Sequence, residues 1–228
     1  SSLSRDSTIW FDKSGNNRDA NVSGSVKLGV GKHKGKSLMR YDGSGFHHWL
    51  DINDSRTIFW VVRAESNNDG FLLGDNNKYH FHNSSSSPLK FWHPTHTFAG
   101  VRDGNLSING TRNIDGVNTT MNSSLSDLTI VTLQTSGDVE ASRFSADRTF
   151  LSRKWKGDLA ELLISSEELT EDQINKMEGY LAHKWGLLDG LPSSHPYKVP
   201  LYEIDENGSL TVNQTFDYET DDRNYTIT

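Results

Sequence analysis

Short apolar runs alternate with clusters of Gly, Asn, Asp and Ser along most of this chain, at a spacing of roughly ten residues. The runs are Ile9 to Phe11, Ser37 to Tyr41, Arg56 to Val62, Phe71 to Leu73, Lys78 to His82, Leu89 to Trp92, Thr97 to Val101, Leu106 to Ile108, Leu128 to Leu133 and Leu159 to Ile164. Each is strand-sized, and most end at turn chemistry such as Asp42-Gly43. Arg56 to Val62 (RTIFWVV) is β-branched and aromatic without alternation, which predicts a buried strand in a sandwich core. Alternating βα units are absent, so a parallel α/β sheet is not expected. The pattern predicts an all-β chain, folded as a sandwich or jelly roll.

The period changes once. After Thr170, the residues Ile174, Met177, Leu181 and Trp185 recur at helical spacing, predicting one helix near 171–186. Thr170 and Gln173 fit a capping box, in which the hydroxyl takes a free backbone N–H and the amide reaches back. Gly186 can close the helix in a left-handed conformation. The stripe should pack on the outside or rim of a sheet.

Composition narrows the functional classes. The chain has 228 residues, one third of them hydrophobic, enough for one core. Its formal charge of −7 argues against nucleic acid and anionic membranes as partners, and suits a divalent cation or a neutral glycan. There is no cysteine, which favours either a cytosolic protein or a bacterial surface protein. No apolar run is long enough to insert in a membrane.

Candidate chemistry concentrates in two places. Six of the nine histidines fall between His47 and His96. His80 and His82 would share one strand face, and His93 and His96 have H-x-x-H spacing, which could start a zinc or nickel site but lacks further ligands. The alternatives are structural histidines or an aromatic and polar ligand surface. In the last, His80, His82 and His93 would line a sugar that stacks on Trp92, with Trp49 and Trp92 partly exposed. Trp10, Trp60, Trp155 and Trp185 read as core. Near the end of the chain, Asp217, Glu219, Asp221 and Asp222 provide four carboxylates, with Asp217 and Glu219 on one strand face. They suit calcium, or form a solvated acidic turn. Asp12 with Asn16, Asp42 and Asp158 are weaker oxygen sets, and read first as turn residues. No strand carries closely spaced carboxylates of a glycosidase kind, and no nucleophile elbow, P-loop or dinucleotide fingerprint is present, so an enzyme is not expected.

Four stretches carry a family resemblance over Ser7 to Lys198: Trp10 to Asn16 (WFDKSGN), Leu38 to Gly43 (LMRYDG), Gly157 to Glu161 (GDLAE), and Gly179 to Leu187 (GYLAHKWGL) with Leu191 to Tyr197 (LPSSHPY). In this order they resemble the laminin-G-like, concanavalin A-like jelly-roll domains of large bacterial surface proteins. The resemblance implies a two-sheet antiparallel jelly-roll sandwich over residues 1–198 that binds glycans or peptides, often beside calcium. Residues 199–228, with Tyr202 to Leu210 and Phe216 to Glu219, resemble half of a cadherin-type repeat. That likeness makes Asp217 and Glu219 a calcium-binding pair, completed by residues from the other half of the repeat and the next linker. The expectation is therefore a monomeric, non-catalytic, calcium-assisted adhesion module at a bacterial cell surface. A structural spacer or peptide binder is the alternative.

Overall fold

The computed structural model describes residues 9–77, 80–84, 87–148, 150–199, 202–204 and 210–212. The elements follow in chain order: β1 (Ile9–Trp10), β2 (Ala20–Ser23), β3 (Lys27–His33), β4 (Lys36–Asp42), β5 (Phe46–Ala64), α1 (Ala99–Arg102), β6 (Asn105–Ile108), α2 (Met121–Ser124), β7 (Thr129–Phe144), β8 (Lys156–Ser165), α3 (Glu171–Trp185), β9 (Tyr202–Ile204) and β10 (Leu210–Val212). All strand pairs are antiparallel, and the chain is all-β with one substantial helix.

One hydrogen-bonded sheet runs in the order β1-β2-β5-β8-β4-β3, and β7 joins it by pairing with both β5 and β6. Its spine is the β5–β7 pair, in register from His47 opposite Phe144 to Val62 opposite Thr129. The register shifts repeatedly between His48 and Thr57. Bulges of this kind bend and twist a ribbon. The two halves of β5 consequently meet different neighbours on the same edge, β2 at Phe46–His48 and β8 at Thr57–Ala64. The sheet curls around a core that holds Trp49 and Ile52 from one half of β5, and Ile58, Trp60 and Val62 from the other.

The central run is apolar without alternation because both faces are covered. Ile58, Trp60 and Val62 enter the main core, whereas Phe59 and Val61 face outward into a second cluster with Leu163, Ile130 and the α3 stripe. Helix α3 forms as its ends predict. Gln173 N–H donates to Thr170 Oγ1 at 3.3 Å, Thr170 N–H donates to Gln173 Oε1 at 2.8 Å, and Gly186 closes the helix at φ 68°. Ile174, Met177, Leu181 and Trp185 are all buried against the sheet.

Among the described residues of 71–101, the expected strands do not form. Among the described residues of that stretch there are isolated bridges, Gly74 with Arg143 and Lys90 with Thr120, and the turn at Ala99 becomes α1. Phe71, Leu72, Leu73, Phe81 and Phe91 are nonetheless fully buried. Polar side chains take the backbone bonds that a ladder would supply. Asn83 Nδ2 donates to Gly70 O at 2.6 Å, Lys90 N–H to Ser84 Oγ at 2.8 Å, and His93 N–H to Thr97 Oγ1 at 2.8 Å. Past the main sheet, β9 and β10 pair with each other.

Candidate functional site

The histidines grouped by the sequence do gather, but not on a strand. His80 and Phe81 lie in a turn, so His80 and His82 do not share a strand face. His93 stacks on His96 at 4.1 Å, and His82 lies beside the pair, with ring centroids 5.8 and 5.7 Å away. His93 Nδ1 accepts the N–H groups of both Thr95 and His96 at 3.1 Å, so this imidazole closes its own turn. Burial, with Arg153 and Arg148 nearby, pushes His82 down to about 4, and burial with His96 and Arg153 lowers His93 as well. Among the described residues, no group of three or more His, Cys, Asp or Glu is placed to hold a metal ion.

Trp92 is not a stacking platform. Its side chain is 2% exposed and lies in the main core beside Phe81 and Phe91. Its indole is laid against Gly116, where a Cβ would come within 2.2 Å of the ring, and the Trp92 backbone N–H donates to Gly116 O at 2.9 Å. Trp49, 5% exposed, is also core. Neighbouring polar residues in the sequence suggested exposure for both, but tertiary burial removes it.

An open groove of about 610 Å³ lies beside the cluster. One wall is the turn and first residues of α1, carrying Thr95, His96, Phe98 and Arg102, and the other is β7, carrying Asp138 and Glu140. His80 forms its floor. His80 Nδ1 lies 2.7 Å from Glu140 N and 3.0 Å from Glu140 O, so the ring is held against the β7 backbone. The His80 ring supports Phe98, with centroids 4.7 Å apart. Phe98 is 44% exposed, so the groove does contain an accessible aromatic, though not the expected one. Asp138 is anchored by Arg56 at 3.7 Å, and Arg102 pairs with Asp103 at 2.8 Å.

Of the expected ligand residues, His80 lines the groove, His82 is buried, His93 is half-buried in the turn that carries His96, and Trp92 is buried in the core. The sequence reading missed Phe98, Asp138 and Glu140. The Asp-x-Glu alternation at 138–140 was the available signal, whereas nothing local marks Phe98.

The oxygen-rich positions also resolve. Asp12 accepts from Ser14 N–H at 2.8 Å and Arg18 N–H at 3.0 Å, closing its own turn. Asp42 accepts from Ser44 N–H at 3.1 Å, and the Ser44 hydroxyl holds its carboxyl below the usual range. Asp158 is fully buried between Arg40 Nε at 2.7 Å and Arg63 Nε at 2.9 Å, so two guanidiniums already offset its charge. Asp217 and Glu219 lie outside the described residues.

The chain matches no protein-family model, no curated protein and no solved structure.

Proposed function

We propose that this chain is a non-catalytic, carbohydrate-binding adhesion module of a large bacterial surface protein, built as a jelly-roll sandwich and assisted by calcium. The observation that carries the reading is the groove at Phe98. An accessible ring bordered by His96, Arg102, Asp138 and Glu140 offers a sugar an apolar face to stack on and hydrogen-bonding groups at its edge. The negative formal charge is compatible with a neutral glycan. Calcium enters through Asp217 and Glu219, whose place in the cadherin-like tail suits a domain junction rather than the groove.

A second reading has one observation in its favour. Asp138 and Glu140, two positions apart on β7, both line the groove, as paired carboxylates would in a glycan-cleaving enzyme.

A glycan array probed with the chain, in millimolar calcium and again with chelator, tests the proposal. A defined hit that Phe98→Ala abolishes is expected, with weakening on chelation. Release of shorter oligosaccharides from the hit, lost in Glu140→Gln, would instead establish the hydrolase. No hit in either condition overturns the carbohydrate assignment and leaves a spacer or peptide binder.

A further inference from the structure

A second groove, of about 910 Å³, opens at the β4–β5–β8 face. Arg40 on β4, Asp158 on β8 and Arg63 on β5 are direct lateral neighbours, Arg40 opposite Asp158 and Arg63 opposite Asp158. The sheet register therefore builds an Arg-Asp-Arg row. Its central carboxylate is fully buried, while the two guanidiniums remain partly exposed and line the groove. The row is fitted closely to the backbone behind it. A Cβ at Gly31 would stand 2.5 Å from Asp158 Oδ1.

This arrangement leaves one guanidinium donor uncommitted. Arg63 commits Nε and Nη2 to Asp158, and its Nη1 makes no hydrogen bond among the described residues. Arg40 holds Asp158 through Nε and Nη2, and gives Nη1 to Glu65 Oε1 at 2.5 Å. Glu65 is largely solvated, so it is an exchangeable partner, whereas Asp158 is not. Two guanidiniums held rigidly by one buried carboxylate are preorganised to receive a second carboxylate in place of Glu65.

The rest of the lining sets the ligand class. Ser66, Asn67, Asn122, Ser123 and Ser126 are neutral donors and acceptors. Asn122 is locked, its Nδ2 donating to Asn68 O at 2.8 Å and Ser66 O at 3.1 Å. Ala64, Pro88 and Leu89 add an apolar patch, and hydroxyls and amides beside such a patch suit a saccharide, whose ring has polar edges and an apolar face. A peptide would require side-chain pockets or a free strand edge.

We propose that this groove is a second binding site, separate from the Phe98 groove, and that it takes a carboxylate-bearing saccharide of the uronic acid class. The ligand carboxylate displaces Glu65 from Arg40 and reaches Arg63 Nη1, while the ring hydroxyls meet the serines of the lining, beside the locked Asn122.

An NMR titration of the isotope-labelled chain tests this, using a glucuronate-containing disaccharide and its carboxyl-reduced glucose counterpart. Only the acidic sugar should shift signals of Arg63 and Asn122. Arg63→Gln should weaken binding about tenfold or more, as expected for one charge-assisted contact. Glu65→Gln should strengthen binding about threefold by removing the competing carboxylate. That gain separates recognition from mere loss of folding, which Arg63→Gln alone would not. Phe98→Ala should leave this titration unchanged, so failure of the first groove does not affect the result. Absence of shifts, equal binding of the reduced sugar, or weakening in Glu65→Gln overturns the assignment.

Discussion

At the scale of single residues, burial separates two aromatics that local sequence does not. Trp92 is followed by His93 and Pro94, and Phe98 sits between Thr97 and Ala99, yet Trp92 is core and Phe98 is accessible. Their truncations should therefore diverge. Trp92→Ala removes a large side chain packed on Gly116, Phe81 and Phe91, and should cost about 3–5 kcal/mol. Phe98→Ala should change stability by less than about 0.5 kcal/mol. Urea unfolding of both variants measures the difference, and similar midpoints would refute the placement of Trp92. The sequence was legible for Trp60 and Trp155, which lie in or beside apolar runs and are buried. It was not legible for Trp92, because that ring is covered by Gly116 and its neighbours in space rather than by residues near it in the chain.

At the scale of elements, α3 is the part most fully written in local sequence, since its cap, stripe and terminating glycine act within a few residues. One residue on it answers to distant partners. Glu178 is fully buried, accepting from Thr132 Oγ1 at 2.7 Å and Ser107 Oγ at 3.1 Å, with His195 Nε2 at 3.4 Å and Arg112 Nη2 at 3.8 Å. This carboxylate ties α3 to β6, β7 and the following loop. Glu178→Ala leaves two buried hydroxyls without their shared acceptor, while Arg112 keeps Asn175 and Glu171, and should cost about 2–3 kcal/mol. Glu178→Gln keeps an acceptor and should cost less. Thermal or chemical unfolding reads this order, and a neutral Glu178→Ala would show that the network does not hold the helix. Two other elements escaped the sequence pattern. Strand β5 extends over 19 residues, well beyond the predicted run Arg56 to Val62, because its irregular stretch tolerates Asp51, Asn53 and Asp54. The runs over 71–101 stay irregular because Asn83, Ser84 and Thr97 satisfy backbone groups locally.

At the scale of the whole molecule, the curl of the sheet creates interior sites for ionisable groups. Burial pushes His47 down to about 4, and its Nδ1 shares a hydrogen bond with Tyr41 Oη at 2.5 Å. His82 is likewise lowered to about 4 by burial and by Arg153 and Arg148. In the unfolded chain both would titrate near 6.5, the ordinary histidine value. Between about pH 6.5 and 4 the unfolded state therefore binds more protons than the folded one, and stability falls as pH falls. Each histidine can contribute up to about 1.4 kcal/mol per pH unit in that window, and nothing above it. Melting temperatures from pH 8 to 4 should be level above about 6.5 and decline below it. His82→Gln should flatten part of that decline, and an unchanged slope would remove His82 from the account.

The sequence by itself determined the all-β class, the helix at Glu171–Trp185 with its two ends, the strand that is buried on both faces, and the gathering of histidines around residues 80–96. These follow from periodicity, capping and turn chemistry, which act over a few residues. Only the tertiary structure decided which aromatic is accessible, that Asp158 is clamped by Arg40 and Arg63, and that Asp138 and Glu140 face the His80 turn across a groove. Those outcomes depend on strand register and on the curl of the β5–β7 ribbon, which bring together residues tens of positions apart. No local pattern encodes that separation, because exposure and charge pairing are properties of neighbours in space.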